Sequence, residues 1–141
     1  MKMELENKLI AVIRVRGTIG VRHDISETLR RLNLGKPNNF TLVFGTKSNL
    51  GMIKQCSDFI AYGAISQERL EKILTRKGIK FGSDDVQGLI SGKKRARDMM
   101  ELPIRLHPPR RGYGSIKSPF SKGGALGYHG EEINDLIRRM S

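Results

Sequence analysis

The chain has 141 residues, with 26 Lys and Arg against 14 Asp and Glu, a formal net charge of +12. That length predicts one domain with an appendage, and a hydrophobic fraction of 38% predicts a folded body carrying surplus positive charge, not a wholly disordered basic tail. The single cysteine, Cys56, excludes an internal disulfide scaffold, its spacing from His23, His107 and His129 matches no zinc site, and no apolar run approaches the roughly 18 residues of a membrane span. Glu4 and Glu6 stand where a signal peptide would need an apolar centre, so a soluble, intracellular protein is expected.

Leu9–Val15 is apolar and branched before it breaks at Arg16-Gly17, which predicts a buried strand leaving the sheet at a flexible corner. Asp24, with Glu27 three residues later, has the form of a capping box. Ile25, Leu29 and Leu32 then share one helical face until Gly35 supplies a stop. Pro37-Asn38-Asn39 marks a turn, and Phe40, Leu42 and Phe44 alternate with Thr41 and Val43 as a second strand. Ser48 or Asn49 can cap a second helix whose inner face is Met52, Ile53, Cys56, Phe59 and Ile60, and Tyr62–Ile65 reads as a third strand. Ser66 caps a further helix through about Arg76, with Leu70, Ile73 and Leu74 inward and Gly78 beyond its end. Asp84-Asp85 opens a short helix weakened by Gly88 and Gly92, and a helix near the C-terminus carries Ile133, Leu136, Ile137 and Met140 on one side. Its acids, Glu131 and Glu132, lie near the start and its cations, Arg138 and Arg139, near the finish, matching the helix dipole.

The most informative stretch is Leu102–Gly130, rich in Gly, Pro and Ser, with Arg105, Arg110, Arg111, Lys117 and Lys122 and no carboxylate. It holds too few apolar residues for a core of its own. A mobile loop of one charge sign repels itself until an anion neutralises it, and a polyphosphate is the fitting partner: Lys and Arg gain affinity by displacing counterions, and glycines admit a close backbone approach. A solvated linker and a polybasic membrane patch are the competing readings. Tyr113 and Tyr128 lie in this stretch and are candidates for stacking on bases, whereas Tyr62 suits the core. Where the first strand meets the first helix, Arg14 to Arg22 combines cations with Gly17 and Gly20, a corner that suits either a bound phosphate or an ordinary turn. It is neither a Walker loop nor a dinucleotide fingerprint. Lys93–Arg97 reads as an RNA contact or a solvated helix face. No catalytic constellation is visible: His107 lies between Leu106 and Pro108 with no orienting acid, and Cys56 falls on an inner helix face.

Taken in order, several stretches resemble the archaeal-type large-subunit ribosomal protein L-thirty family, which includes the eukaryotic large-subunit protein L-seven. The resemblance is carried by Ile13-Arg14-Val15-Arg16-Gly17 with Gly20, Asp24-Ile25, Thr28-Leu29, Asn38, Thr41-Leu42-Val43, Gly51-Met52 and Tyr62-Gly63. Arg105-Leu106-His107-Pro108-Pro109-Arg110, Gly123–Gly127 and Glu132–Ile137 resemble the longer archaeal and eukaryotic form. Leu50 departs from the family, many of whose members place Arg there, and Phe44-Gly45-Thr46 lacks their Pro; Lys47 and Lys54 supply neighbouring charge.

The resemblance implies an α/β fold of the α+β two-layer kind, a β-α-β-α-β ferredoxin-like small sheet with two helices on one face, plus a helical and loop-rich C-terminal extension. The expected division is an RNA-binding core over residues 1–65, a helical extension over 66–101, and a basic RNA-threading segment with its terminal helix over 102–141. It also implies a structural constituent of the large ribosomal subunit in the cytoplasm, whose partners are large-subunit ribosomal RNA and neighbouring ribosomal proteins. No enzyme activity, cofactor, metal, membrane, small-molecule substrate or homo-oligomer is expected. Arg14, Arg16, Arg22, Arg30 and Arg31 would contact phosphates from the domain, with Lys47 and Lys54 nearby. Arg105, Arg110, Arg111, Lys117 and Lys122, with His107, Tyr113 and Tyr128, would do so from the extension. The alternatives are a non-ribosomal RNA-binding or nucleotide-binding enzyme using the Gly17–Gly20 corner, and a sequence-specific DNA regulator, for which no helix-turn-helix is evident.

Overall fold

An unbroken apolar run in a strand requires cover on both faces of its sheet, and β1 (Leu9–Arg14) is buried at every position. The computed structural model describes residues 8–15, 22–32, 34–36, 38–57, 59–76, 78, 82–92, 104–106, 115–119 and 124–140, with the backbone alone at 83, 105, 115–119, 125 and 131. Along the chain follow α1 (His23–Arg31), β2 (Asn39–Phe44), α2 (Lys47–Gln55), β3 (Ile60–Ala64), α3 (Gln67–Arg76) and α4 (Ser83–Ser91). Then come β4 (Ile104–Arg105), β5 (Ser115–Pro119), β6 (Gly124–Tyr128), a 3-10 turn at Gly130–Glu132 and α5 (Ile133–Met140).

The strands lie in the order β4-β2-β1-β3-β6-β5. β1 is antiparallel to β2, with Val12 opposite Thr41, and to β3, with Val12 opposite Tyr62. β2 and β3 are therefore parallel to one another with β1 inserted between them, a split βαβ unit whose crossover is α2. β6 adds parallel to β3 and makes the sheet mixed.

Strand periodicity sorts the core into two clusters. Ile10 and Val12 point to one face and pack with Ile60 and Tyr62 under Leu29 and Leu32 of the α1 segment and Leu50 and Ile53 of α2, which completes the two-layer β-α-β-α-β unit. Leu9, Ala11 and Ile13 point the other way, with Phe40 and Leu42, against Leu70, Ile73 and Leu74 of α3, Val86 and Leu89 of α4, and Ile133, Leu136, Ile137 and Met140 of α5. The C-terminal helices thus cover the sheet face that α1 and α2 leave open.

Local signals differ from the sequence reading in identifiable ways. α1 begins at His23 after an extended Arg22 with no side-chain cap; Asp24 lies inside the first turn, where Arg22 holds it, and the expected capping box does not form. The cap of α2 is Thr46, whose Oγ1 accepts from the Asn49 N–H at 3.2 Å, not Ser48 or Asn49. α2 stops at Gln55, so Phe59 lies in the turn and Ile60 opens β3. Ser66 caps α3 as expected, its Oγ accepting from the Arg69 N–H at 3.2 Å.

The largest difference concerns Leu102–Gly130. It contains β4, β5 and β6: Ile104, Leu106 and Leu126 are buried in the core, and the Leu106 N–H donates to the Asn38 carbonyl at 3.1 Å. The stretch lacks the apolar residues for a core of its own, but Ile104 and Leu106 stand two apart, which suffices for joining an existing one. Each buried side chain of that size contributes about 1.5–3 kcal/mol.

Candidate nucleic-acid interface

α1 and α2 lie side by side on one face of the sheet. Because Ile25, Leu29 and Leu32 turn inward, Arg30 and Arg31 must turn outward, and both are exposed. On α2, burial of Leu50 and Ile53 likewise directs Lys47 and Lys54 to solvent. Leu50 itself is a core residue, so the charge of this helix resides at the two lysines. The seam between the helices is closed by Thr28, whose hydroxyl donates to the Asp24 carbonyl at 2.9 Å and lies 3.2 Å from Gln55 Oε1.

Some of these cations have carboxylate partners. Arg22 bonds Asp24 at 2.7 Å, with both groups largely exposed, and Arg30 pairs with Glu27. The Arg30 hydrogen bond and charge hold the Glu27 carboxyl below its ordinary value, and the same contact raises the Arg30 guanidinium. Exposed pairs of this kind contribute little because solvent screens them, so a phosphate can compete for the arginines at little cost. Arg31, Lys47 and Lys54 are exposed and form no ion pair with any described residue. The α2 helix contains no carboxylate at all.

Arg14 is not part of this surface. Placed on the same face as Ile10 and Val12 by strand alternation, it is 3% exposed, and its Nη1 donates to the Leu34 carbonyl at 2.7 Å. Desolvation lowers its pKa. An exposed phosphate contact is replaced by an internal one: Arg14 satisfies a backbone carbonyl beyond α1, while the Asn38 N–H bonds Arg14's own carbonyl at 2.8 Å.

Tyr128 is half-buried on β6, its ring centroid 5.8 Å from that of Tyr62 and tilted by 45°, at the margin of the core under α1 and α2. It is therefore anchored to the sheet and not carried on a free loop. The backbones of Arg105 and Lys117 belong to β4 and β5, at opposite edges of the sheet. Arg16, His107, Arg110, Arg111, Tyr113 and Lys122 lie outside the described residues, as do Gly17–Gly20 and Lys93–Arg97. The sequence reading missed Lys36, exposed in the turn between α1 and β2, because a lone lysine in a turn has no periodic signature.

On the opposite side of the molecule, α3 and α5 border an open groove of about 500 Å³ lined by Glu68, Arg69, Glu71, Lys72, Thr75, Arg76 and Arg138. Two of its four cations have carboxylate partners among the described residues: Lys72 pairs with Glu68 at 2.9 Å, and Arg138 with Asp135, beside the groove, at 2.7 Å. That compensation suits a polyanion less well than the acid-free face of α2. Among the described residues no group of His, Cys, Asp and Glu could hold a metal ion, and no helix is long and apolar enough to cross a membrane.

Comparison with known proteins bears on this geometry. Residues 10–60, from β1 to the start of β3, match the family model for ribosomal protein L30p/L7e. The large ribosomal subunit protein uL30 of Methanoregula boonei is 40% identical over 153 residues, covering 94% of this chain and 99% of that protein. Its counterpart from Methanocorpusculum labreanum is 38% identical, with 94% and 99% covered, and that from Methanococcus vannielii 37%, with 92% and 97%. The matches extend well past the family model, so the chain belongs, over almost its whole length, to the ribosomal protein L30p/L7e family, a structural and non-enzymatic one.

Proposed function

We propose that this chain is a structural constituent of the large ribosomal subunit, holding ribosomal RNA by Lys and Arg contacts to phosphate. Family membership supports the ribosomal role. The observation that favours the mechanism is the exposed surface of α1 and α2, where Arg31, Lys47 and Lys54 form no ion pair with any described residue and Arg22 and Arg30 form only weak, exposed ones. Arg is suited to bidentate phosphate contact and Lys to point-charge neutralisation. Arg16, Arg105, His107, Arg110, Arg111, Lys117 and Lys122 extend the same chemistry in this reading, Tyr113 supplies base stacking, and neighbouring ribosomal proteins complete the surroundings.

Reconstitution tests it. Large subunits of Methanoregula boonei stripped of their own uL30 should take up one equivalent of this chain and carry it through a sucrose gradient. Free chain at the top of the gradient, with subunits otherwise intact, would contradict the assignment.

A further inference from the structure

Glycine is the poorest helix former after proline, so a glycine inside a helix calls for a reason. The usual reasons are visible elsewhere in this fold. A Cβ at Gly63 would collide with the Gly130 carbonyl and lie 2.9 Å from Ile133 Cγ2, and Gly92 ends α4 at φ +83° with the Phe44 ring against it. Gly51, in the middle of α2, has neither. Its φ is not left-handed, it is exposed, and a Cβ built there would meet nothing within 4 Å.

Around that missing side chain stand the residues that share its helical face. Lys47 is four positions before, Ser48 three before, Lys54 three after and Gln55 four after, and all are exposed. Two ammonium groups therefore flank a bare patch of helix backbone on an element without a carboxylate. We propose that this face of α2 is a docking surface for a ribose-phosphate backbone, Gly51 being the point of closest approach and Lys47 and Lys54 neutralising phosphates on either side. The inference deepens the ribosomal reading and rests on it. Charge complementarity selects a nucleic acid over an acid-poor or apolar partner, and the glycine supplies what charge alone does not, a height restriction on the helix surface.

The two roles of Gly51 separate in opposite directions. Gly51→Ala should raise the Tm of the free protein by about 2–4 °C, because helix propensity improves and no neighbour is displaced. The same variant should weaken binding to large-subunit rRNA of Methanoregula boonei transcribed in vitro by about threefold, and Gly51→Gln by about tenfold or more, the loss of one or two charge-assisted hydrogen bonds. Lys47→Gln with Lys54→Gln should make the log–log salt slope shallower by about 1.4–1.8, two phosphate contacts. A more stable Gly51→Ala that binds as tightly as the native chain would overturn the inference, and so would a lowered Tm, which would give Gly51 a packing role. If the native chain itself fails to bind the transcript, the ribosomal reading falls instead, so the two failures are told apart.

Discussion

Arg14 and Arg31 show how little residue type alone decides. Both are arginines of a basic chain beside the first helix, yet one is enclosed and bonded to Leu34 and the other faces solvent. Cys56 is enclosed within electrostatic reach of Arg14, and desolvation pushes its thiol up to about 12. In the unfolded chain a cysteine ionises near about 8.5. Between those values the unfolded state has lost a proton that the native state keeps, so it binds fewer protons and stability must fall as pH rises. The expected loss is about 2 kcal/mol by pH 10 relative to Cys56→Ala, which lacks this titration. Urea melts of both proteins from pH 8 to 10 measure it; parallel curves would show that the thiol is accessible to water. Iodoacetamide at pH 8 should leave the native thiol intact and label it after denaturation.

Individual elements were legible wherever apolar spacing was regular. β1 could be read from Leu9–Val15 because the apolar run is short, rich in β-branched residues and broken at Arg16-Gly17, and α5 from Ile133, Leu136, Ile137 and Met140 because their spacing is helical. The caps were less so: Thr46, Ser48 and Asn49 are all competent, and only the path of the chain from β2 selects Thr46. The short strands β4 and β6 were hidden because two or three apolar residues among Gly and Pro become a strand only when an existing sheet edge pairs with them. Among the candidate site residues, Arg30, Arg31, Lys47 and Lys54 follow from the helical faces, whereas the burial of Arg14 depends on where Leu34 returns to the sheet. The junction of β3 with the 3-10 turn and α5 gives an element-level test. Gly63 leaves no space for a Cβ beside Gly130 and Ile133, so Gly63→Ala should destabilise the protein by about 1–3 kcal/mol through overpacking. A lowered urea midpoint is the expected readout, and an unchanged midpoint would mean that α5 is not seated on β3 as described.

At the scale of the whole molecule, the two faces of the sheet are put to different uses. The α3, α4 and α5 face carries most of the buried side chains and an outer surface of compensated charge, and Asn134 of α5 ties it together by accepting from the Ser66 N–H at 2.9 Å. The α1 and α2 face is smaller in its core and, among the described residues, richer in cations without an ion pair. Such a distribution directs a polyanion to one side and leaves the other for packing. The central claim is that phosphate neutralisation holds the RNA, and it is tested most directly by the affinity for large-subunit rRNA across a salt series. With about five phosphates neutralised, log Kobs should fall against log salt concentration with a slope of roughly −3 to −5. A flat titration with retained affinity would contradict it.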